Sequence, residues 1–191
     1  AFSDSASLGR LLMKAYCGRS LKWVCDEVIH PFLLEIAPKC CSTLAAVEFR
    51  IVDTVPRVSE YWQGDSVIIS GRGMDYEFTP IDSPAFDGDL SAYLGHAWSN
   101  RIWSCLGSVG PYIRRPERVN FDLRRDDLYL LCSDGVNGYS QHSFVTIYEI
   151  VRKALDSGKS LEVALDLAMD SALDNAGRDN AKLVKDCHVY F

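Results

Sequence analysis

Hydrophobic and polar positions along the chain follow two periods. Leu8, Leu11, Leu12, Ala15 and Tyr16 fall three or four apart and predict a helix over residues 5–18, with Gly18 as its stop. Ser20 can cap a second helix that runs to about Ala37 and turns Val24, Val28, Phe32, Leu33 and Ile36 inward. Pro31 should kink that helix, and His30 before it reads as a surface or kink residue rather than a ligand. The period then changes to two. Residues 42–51 predict a strand, and residues 53–56 a turn. Residues 58–62 and 67–70 predict a pair of strands joined at Gly64-Asp65-Ser66. Gly71-Arg72-Gly73 reads as another turn and residues 76–79 as a short strand.

Residues 80–116 have weak periodicity and many Pro and Gly, with a helical reading for residues 91–106. A long irregular excursion inside a compact domain is usually functional, so this stretch reads as a flap beside a site. Residues 119–123 alternate again. Leu128-Tyr129-Leu130-Leu131-Cys132 is an unbroken apolar run and predicts a central strand buried on both faces. Two helices follow, over residues 143–155 with a stop at Gly158, and from Ser160 to Gly177. Residues 181–191 predict a last strand. Helices grouped apart from antiparallel strands argue an α+β fold, and 191 residues without a linker or repeat argue one domain over 1–191.

Composition narrows the class. At 48% hydrophobic and 24% charged residues the chain reads as an ordinary globular protein. A net charge of −6, without a large Lys/Arg cluster, argues against nucleic acid. No apolar run approaches the ~20 residues of a membrane span, and the first residues carry no signal-peptide pattern. The seven cysteines are odd in number and never spaced Cys-x-x-Cys. That favours a reducing, cytoplasmic compartment over a disulfide framework or a zinc site.

The chemical signal lies in three acidic turns beside strands. Asp134 follows the central strand in Ser133-Asp134-Gly135. Asp179 stands in Gly177-Arg178-Asp179-Asn180 before the last strand, and Asp65 in Gly64-Asp65-Ser66. Carboxylates at strand ends suit a hard cation that takes oxygen ligands. Each turn also has a plain reading, since Asp and Gly favour turns for conformational reasons alone, and a Gly-Asp-Ser hairpin needs no metal. Cys132 reads as a packed core thiol, and His142 as a residue near a helix N-terminus.

Taken together, five segments resemble the metal-dependent protein phosphatases of the 2C type, the PPM family. They are Ser42-Thr43-Leu44-Ala45-Ala46, Gly64-Asp65-Ser66, Ser104-Cys105-Leu106-Gly107-Ser108, Leu130-Leu131-Cys132-Ser133-Asp134-Gly135-Val136 and Arg178-Asp179-Asn180-Ala181. The resemblance implies a 2C-phosphatase-like β-sandwich of two antiparallel sheets flanked by antiparallel helix pairs. It implies a Mn²⁺ or Mg²⁺ centre with two core ions and a third, weaker site. Asp134 and Asp179 would be core ligands and Asp65 the ligand of the third ion. Ser133, Gly135 and Asn180 would form the supporting turns. The implied reaction is hydrolysis of phosphoserine or phosphothreonine by metal-activated water. The implied partner is a phosphorylated protein, a kinase or a kinase's target.

The sequence also departs from that family. It holds neither a strand with Arg and a Glu-Asp pair nor an Asp-Gly-x-Gly turn, so the family's N-terminal strands and motifs are missing from it. Three expectations follow: a part of a longer active enzyme, a pseudophosphatase acting as a binding or scaffold module, or a protein whose missing strands come from a second chain.

Overall fold

The computed structural model describes residues 10–11, 14–16, 18–36, 42–82, 102, 104–107, 117–120, 123–133, 136, 141–176 and 188–190. The chain divides into two compact units, residues 1–65 with 81–121, and residues 66–80 with 122–191. Both consist of an antiparallel sheet with helices, so the fold is α+β as expected.

In the first unit, residues 10–11 and 14–16 are helical and Gly18 follows them with φ 76°. Ser20 caps the next helix as expected. Its Oγ accepts from the Trp23 amide at 3.1 Å, satisfying one of the otherwise orphaned N–H groups of the first turn. That helix is built of α1 (Leu21–Val24), a π-helical segment (Cys25–Ile29) and α2 (His30–Ile36). The disturbance expected at Pro31 thus falls just upstream of it. A widened π turn moves a preceding carbonyl off the proline ring and absorbs the missing N–H, so the helix can continue.

Strands β1 (Leu44–Val52) and β2 (Val55–Gln63) form a full nine-residue antiparallel register from Leu44 opposite Gln63 to Val52 opposite Val55. Their two-residue turn, Asp53-Thr54, has φ of 52° and 69°, the left-handed pair whose twist matches flanking strands. Strand β5 (Glu117–Asn120) pairs with residues 58–61 of β2. The helix buries Leu21 and Cys25 against Tyr61, with Tyr16, Leu44 and Ala46 around them. Val24, Ile29 and Leu33 pack on Leu106. Apolar packing of this kind holds a helix to a sheet where intrinsic propensity would not. Glu48 sits in that interface with its side chain 3% exposed. It accepts hydrogen bonds from the Tyr16 hydroxyl (2.7 Å), Arg50 Nε (2.7 Å) and the Leu21 amide (3.3 Å), which keep the buried charge satisfied.

In the second unit, β3 (Val67–Arg72), β4 (Asp75–Phe78), β6 (Asp127–Cys132) and β7 (His188–Tyr190) form one sheet in the order β4-β3-β6-β7. The apolar run is a strand buried on both faces, as its composition requires: Leu128, Tyr129, Leu130 and Cys132 are all buried. Helices α3 (Gln141–Asp156) and α4 (Leu161–Ala176) bury Phe144, Ile147, Tyr148 and Val151, and Ala164, Ala168 and Ala172. Between them, Gly158 at φ 79° ends α3. Its amide bonds the Leu155 carbonyl, and the Lys159 amide bonds that of Ala154. Ser160 Oγ then caps α4 at the Val163 amide.

Three local expectations change. Residues 58–62 and 67–70 do not pair with each other: β2 belongs to the β1-β2-β5 sheet and β3 to the other. Gly64-Asp65-Ser66 is therefore a passage from one sheet to the next, not a hairpin. Gly71 and Arg72 belong to β3, and the turn falls at Gly73-Met74. His30 is buried, at 6% exposure, and its Nδ1 accepts from the Gly107 amide at 3.2 Å. Strand β7 is described only over residues 188–190, and the helix expected at residues 91–106 lies largely outside the described residues.

Candidate functional site

Strand β6 carries the chain to Ser133, which is half-buried. The Val136 amide donates to the Ser133 carbonyl at 3.2 Å. Register decides what stands beside that end of β6. Val67, the first residue of β3, lies opposite Cys132, the last residue of β6. On the other side, Leu131 lies opposite His188, so the chain enters β7 at the same end of the sheet. Ser66 immediately precedes Val67, and Asp65 immediately precedes Ser66.

Of the expected site residues, Asp65 and Ser133 lie within the described residues, while Asp134, Gly135, Asp179 and Asn180 lie outside them. Among the described residues, no group of three His, Cys, Asp or Glu could hold a metal ion. The donor types of the expected set are carboxylates alone. They fit a hard, oxygen-seeking cation such as Mg²⁺ or Mn²⁺, and lack the thiolate and imidazole of a zinc site.

The turn before Asp65 is built with little tolerance. Gly64 is buried and has φ 94°. A Cβ added there would stand 2.6 Å from Thr43 Cγ2 and 2.9 Å from Thr43 Cβ, so both the backbone angle and the space demand glycine. Thr43 in turn lies beside Ser42, which pairs with Leu106 through two backbone hydrogen bonds of 3.1 and 2.8 Å. Gln63 Nε2 donates to Ser104 Oγ at 3.1 Å. Three sequence segments that are distant along the chain, at 42–43, 63–64 and 104–106, thus meet in the first unit.

No family model and no curated protein matches the chain. Solved structures do. PppA, "a key regulatory component of T6SS in Pseudomonas aeruginosa", is 20% identical with a TM-score of 0.64, over 95% of this chain and 77% of its own. The serine/threonine phosphatase PstP/Ppp of Mycobacterium tuberculosis is 17% identical with a TM-score of 0.61, over 91% and 78%. The catalytic domain of PstP in complex with two manganese ions is 18% identical with a TM-score of 0.55, over 87% and 76%. The fold is that of the 2C-type serine/threonine phosphatases.

Within this 2C-type fold, two acidic residues hold places that the sequence pattern did not single out. Asp82 is 1% exposed, and its carboxylate accepts from the Gly64 amide at 3.1 Å. It stands in Thr79-Pro80-Ile81-Asp82, just after β4, where Ile81 is buried beside it. The weak periodicity of the following stretch hid that placement. Glu60 is 2% exposed and receives Arg118 Nε at 2.7 Å across the β2–β5 register. A buried carboxylate on a strand is itself a signal, because such a charge requires a partner. Of the thiols, Cys25, Cys105 and Cys132 are buried and outside any disulfide. Burial pushes the Cys25 thiol up to about 12, with the nearby Asp26 charge adding to the effect, so it is inert as a nucleophile near neutral pH.

Proposed function

We propose that this protein is a metal-dependent phosphatase that hydrolyses phosphoserine or phosphothreonine on proteins. One observation carries the reading. In a 2C-type fold, the register of Val67 opposite Cys132 brings the strand that follows Gly64-Asp65-Ser66 alongside the strand that leads into Ser133-Asp134-Gly135. Asp134 and Asp179 would hold two core ions, and Asp65 a third, with Ser133, Gly135 and Asn180 supporting the turns. Bound Mn²⁺ or Mg²⁺ supplies a water of lowered pKa and positive charge against the phosphoryl oxygens. The chain's own part is rigidity. Strand β6, buried on both faces, gives the turn after it a fixed origin, and the shape of Gly64 fixes the approach to Asp65.

The partner on this reading is a phosphorylated protein, a kinase or a kinase's target. Buried thiols outside any disulfide at Cys25, Cys105 and Cys132 support a reducing, cytoplasmic setting. No helix among the described residues is long and apolar enough to cross a membrane.

The test is hydrolysis of a phosphothreonine peptide with and without Mn²⁺, with Asp134→Asn alongside. The expected result is activity that requires Mn²⁺ and collapses in the variant. A folded protein that binds Mn²⁺ or a phosphopeptide but turns nothing over would transfer the reading to a pseudophosphatase, a binding module on the same fold.

A further inference from the structure

We infer that Asp82 is a positioning residue for Asp65. The inference rests on the reading of Asp65 as a cation ligand, and its structural half stands without it. Asp82 and Gly64 are joined twice. The Asp82 amide donates to the Gly64 carbonyl at 2.8 Å, and the Gly64 amide donates to Asp82 Oδ2 at 3.1 Å. Asp82 is 1% exposed, so its carboxylate is committed to partners inside the protein. Both peptide groups of Gly64 are thereby held, one residue before Asp65. On the opposite side, Thr43 closes the space that a side chain at Gly64 would need. Gln63, the residue before, is tied to Ser104. The backbone that delivers the Asp65 carboxylate is fixed from three directions, and Asp82 supplies the one that carries a charge.

A carboxylate that accepts a buried backbone N–H makes a strong, charge-assisted bond, and removing it leaves that N–H unsatisfied. The Gln63-Gly64 peptide would then lose its anchor, and the turn before Asp65 would be held only through the Gly64 carbonyl. Loose ligands bind metal less tightly, because the ordering must be supplied at the moment of binding. An Asn at position 82 keeps an oxygen acceptor in the same place, so it should substitute for Asp where Ala cannot.

The experiment uses the full chain and two readouts, amide hydrogen exchange at Gly64 and Asp65, and Mn²⁺ binding by calorimetry. In the unaltered protein the Gly64 amide should exchange as slowly as the amides of β2. In Asp82→Ala, exchange at Gly64 and Asp65 should quicken and Mn²⁺ affinity should fall, each by about tenfold. Asp82→Asn should stay within about threefold of the unaltered protein on both. Val58→Ala removes a fully buried side chain of the same unit and controls for general loosening; it should leave Mn²⁺ affinity unchanged. A Gly64 amide that exchanges like an exposed loop in the unaltered chain would overturn the inference, with no variant required. So would equal effects of Asp82→Ala and Val58→Ala. If the unaltered protein binds no Mn²⁺, the metal reading falls, and the exchange data alone then decide whether Asp82 holds the turn.

Discussion

Val67 and Cys132 stand directly opposite each other, the first residue of one antiparallel strand against the last residue of its neighbour. The pairing sets the start of the strand that follows Gly64-Asp65-Ser66 beside the end of the strand that leads to Ser133, 65 residues on (132 less 67). It predicts a ranking among the three carboxylates. Asp134→Asn and Asp179→Asn should each lower Mn²⁺-dependent phosphopeptide hydrolysis by about a hundredfold or more, since on the proposed reading each removes a core ligand. Asp65→Asn should cost less and be partly rescued by raising Mn²⁺. Equal loss from all three, or none from Asp179→Asn, would refute the assigned roles.

Two glycines with positive φ should answer differently to alanine. Gly158 has φ 79° and open space where a Cβ would go, so Gly158→Ala should cost only the conformational penalty, about 1 kcal/mol. Gly64 adds a steric clash with Thr43, and Gly64→Ala should cost about 3 kcal/mol or more. Thr43→Ser removes the nearer clashing atom and should recover part of that loss in the double variant. Urea unfolding of the four proteins measures all three quantities.

Glu48 is the charged centre of the first unit, and its removal should be felt across the helix–sheet interface. Glu48→Ala leaves the Tyr16 hydroxyl, Arg50 Nε and the Leu21 amide without this acceptor, and should destabilise the protein by about 3 kcal/mol. The side chain of Arg50 is 37% exposed and can turn to water, which keeps the cost below that of a wholly buried pair. Glu48→Gln retains an acceptor and should cost about half as much. Identical midpoints for the Ala and Gln variants would mean that the carboxylate is not what docks the helix.

Stability should fall on the alkaline side. The Cys25 thiol rises from its ordinary 9.0 to about 12 through burial, with Asp26 adding to it. Below pH 9 the thiol is protonated whether the chain is folded or not, and its contribution is complete. Between 9 and about 12 only the unfolded chain releases the proton, so stability declines by roughly 1.4 kcal/mol per pH unit. Tyr16 is raised as well, first by its bond to Glu48 and then by burial, and adds loss in the same direction above its ordinary 10.0. Denaturation at pH 8, 9, 10 and 11 should show this slope, and Cys25→Ala should flatten it. A flat profile for the unaltered protein would contradict the burial of that thiol.

Much of the fold was legible because the relevant signals are local. Ser20 and Ser160 cap helices because a hydroxyl reaches an amide three residues on, and Gly158 ends one because it tolerates a left-handed backbone. Leu128 to Cys132 had to be a core strand, since so apolar a run needs cover on both faces. The acidic turns were visible for the same reason, as breaks at the ends of such strands. The burial of His30 is not legible in sequence because its partner, the Gly107 amide, lies 77 residues away. The part Asp82 plays is not legible because nothing near it in sequence reveals the Gly64 amide it holds.

The sequence by itself determined most of the described helices and strands, several of their stops, and which segments carry the acidic motifs. Those outcomes follow from periodicity, capping and backbone preference within a few residues. Only the tertiary structure decided that β2 and β3 part into different sheets at Gly64, that Val67 meets Cys132, and that Asp82 and Glu48 are buried. Alternation states which face of a strand is covered, and any strand with a matching face would satisfy it. The choice of partner rests on long-range register and on packing, such as Thr43 against Gly64, where contacts within a few tenths of an ångström select one arrangement among many with the same pattern.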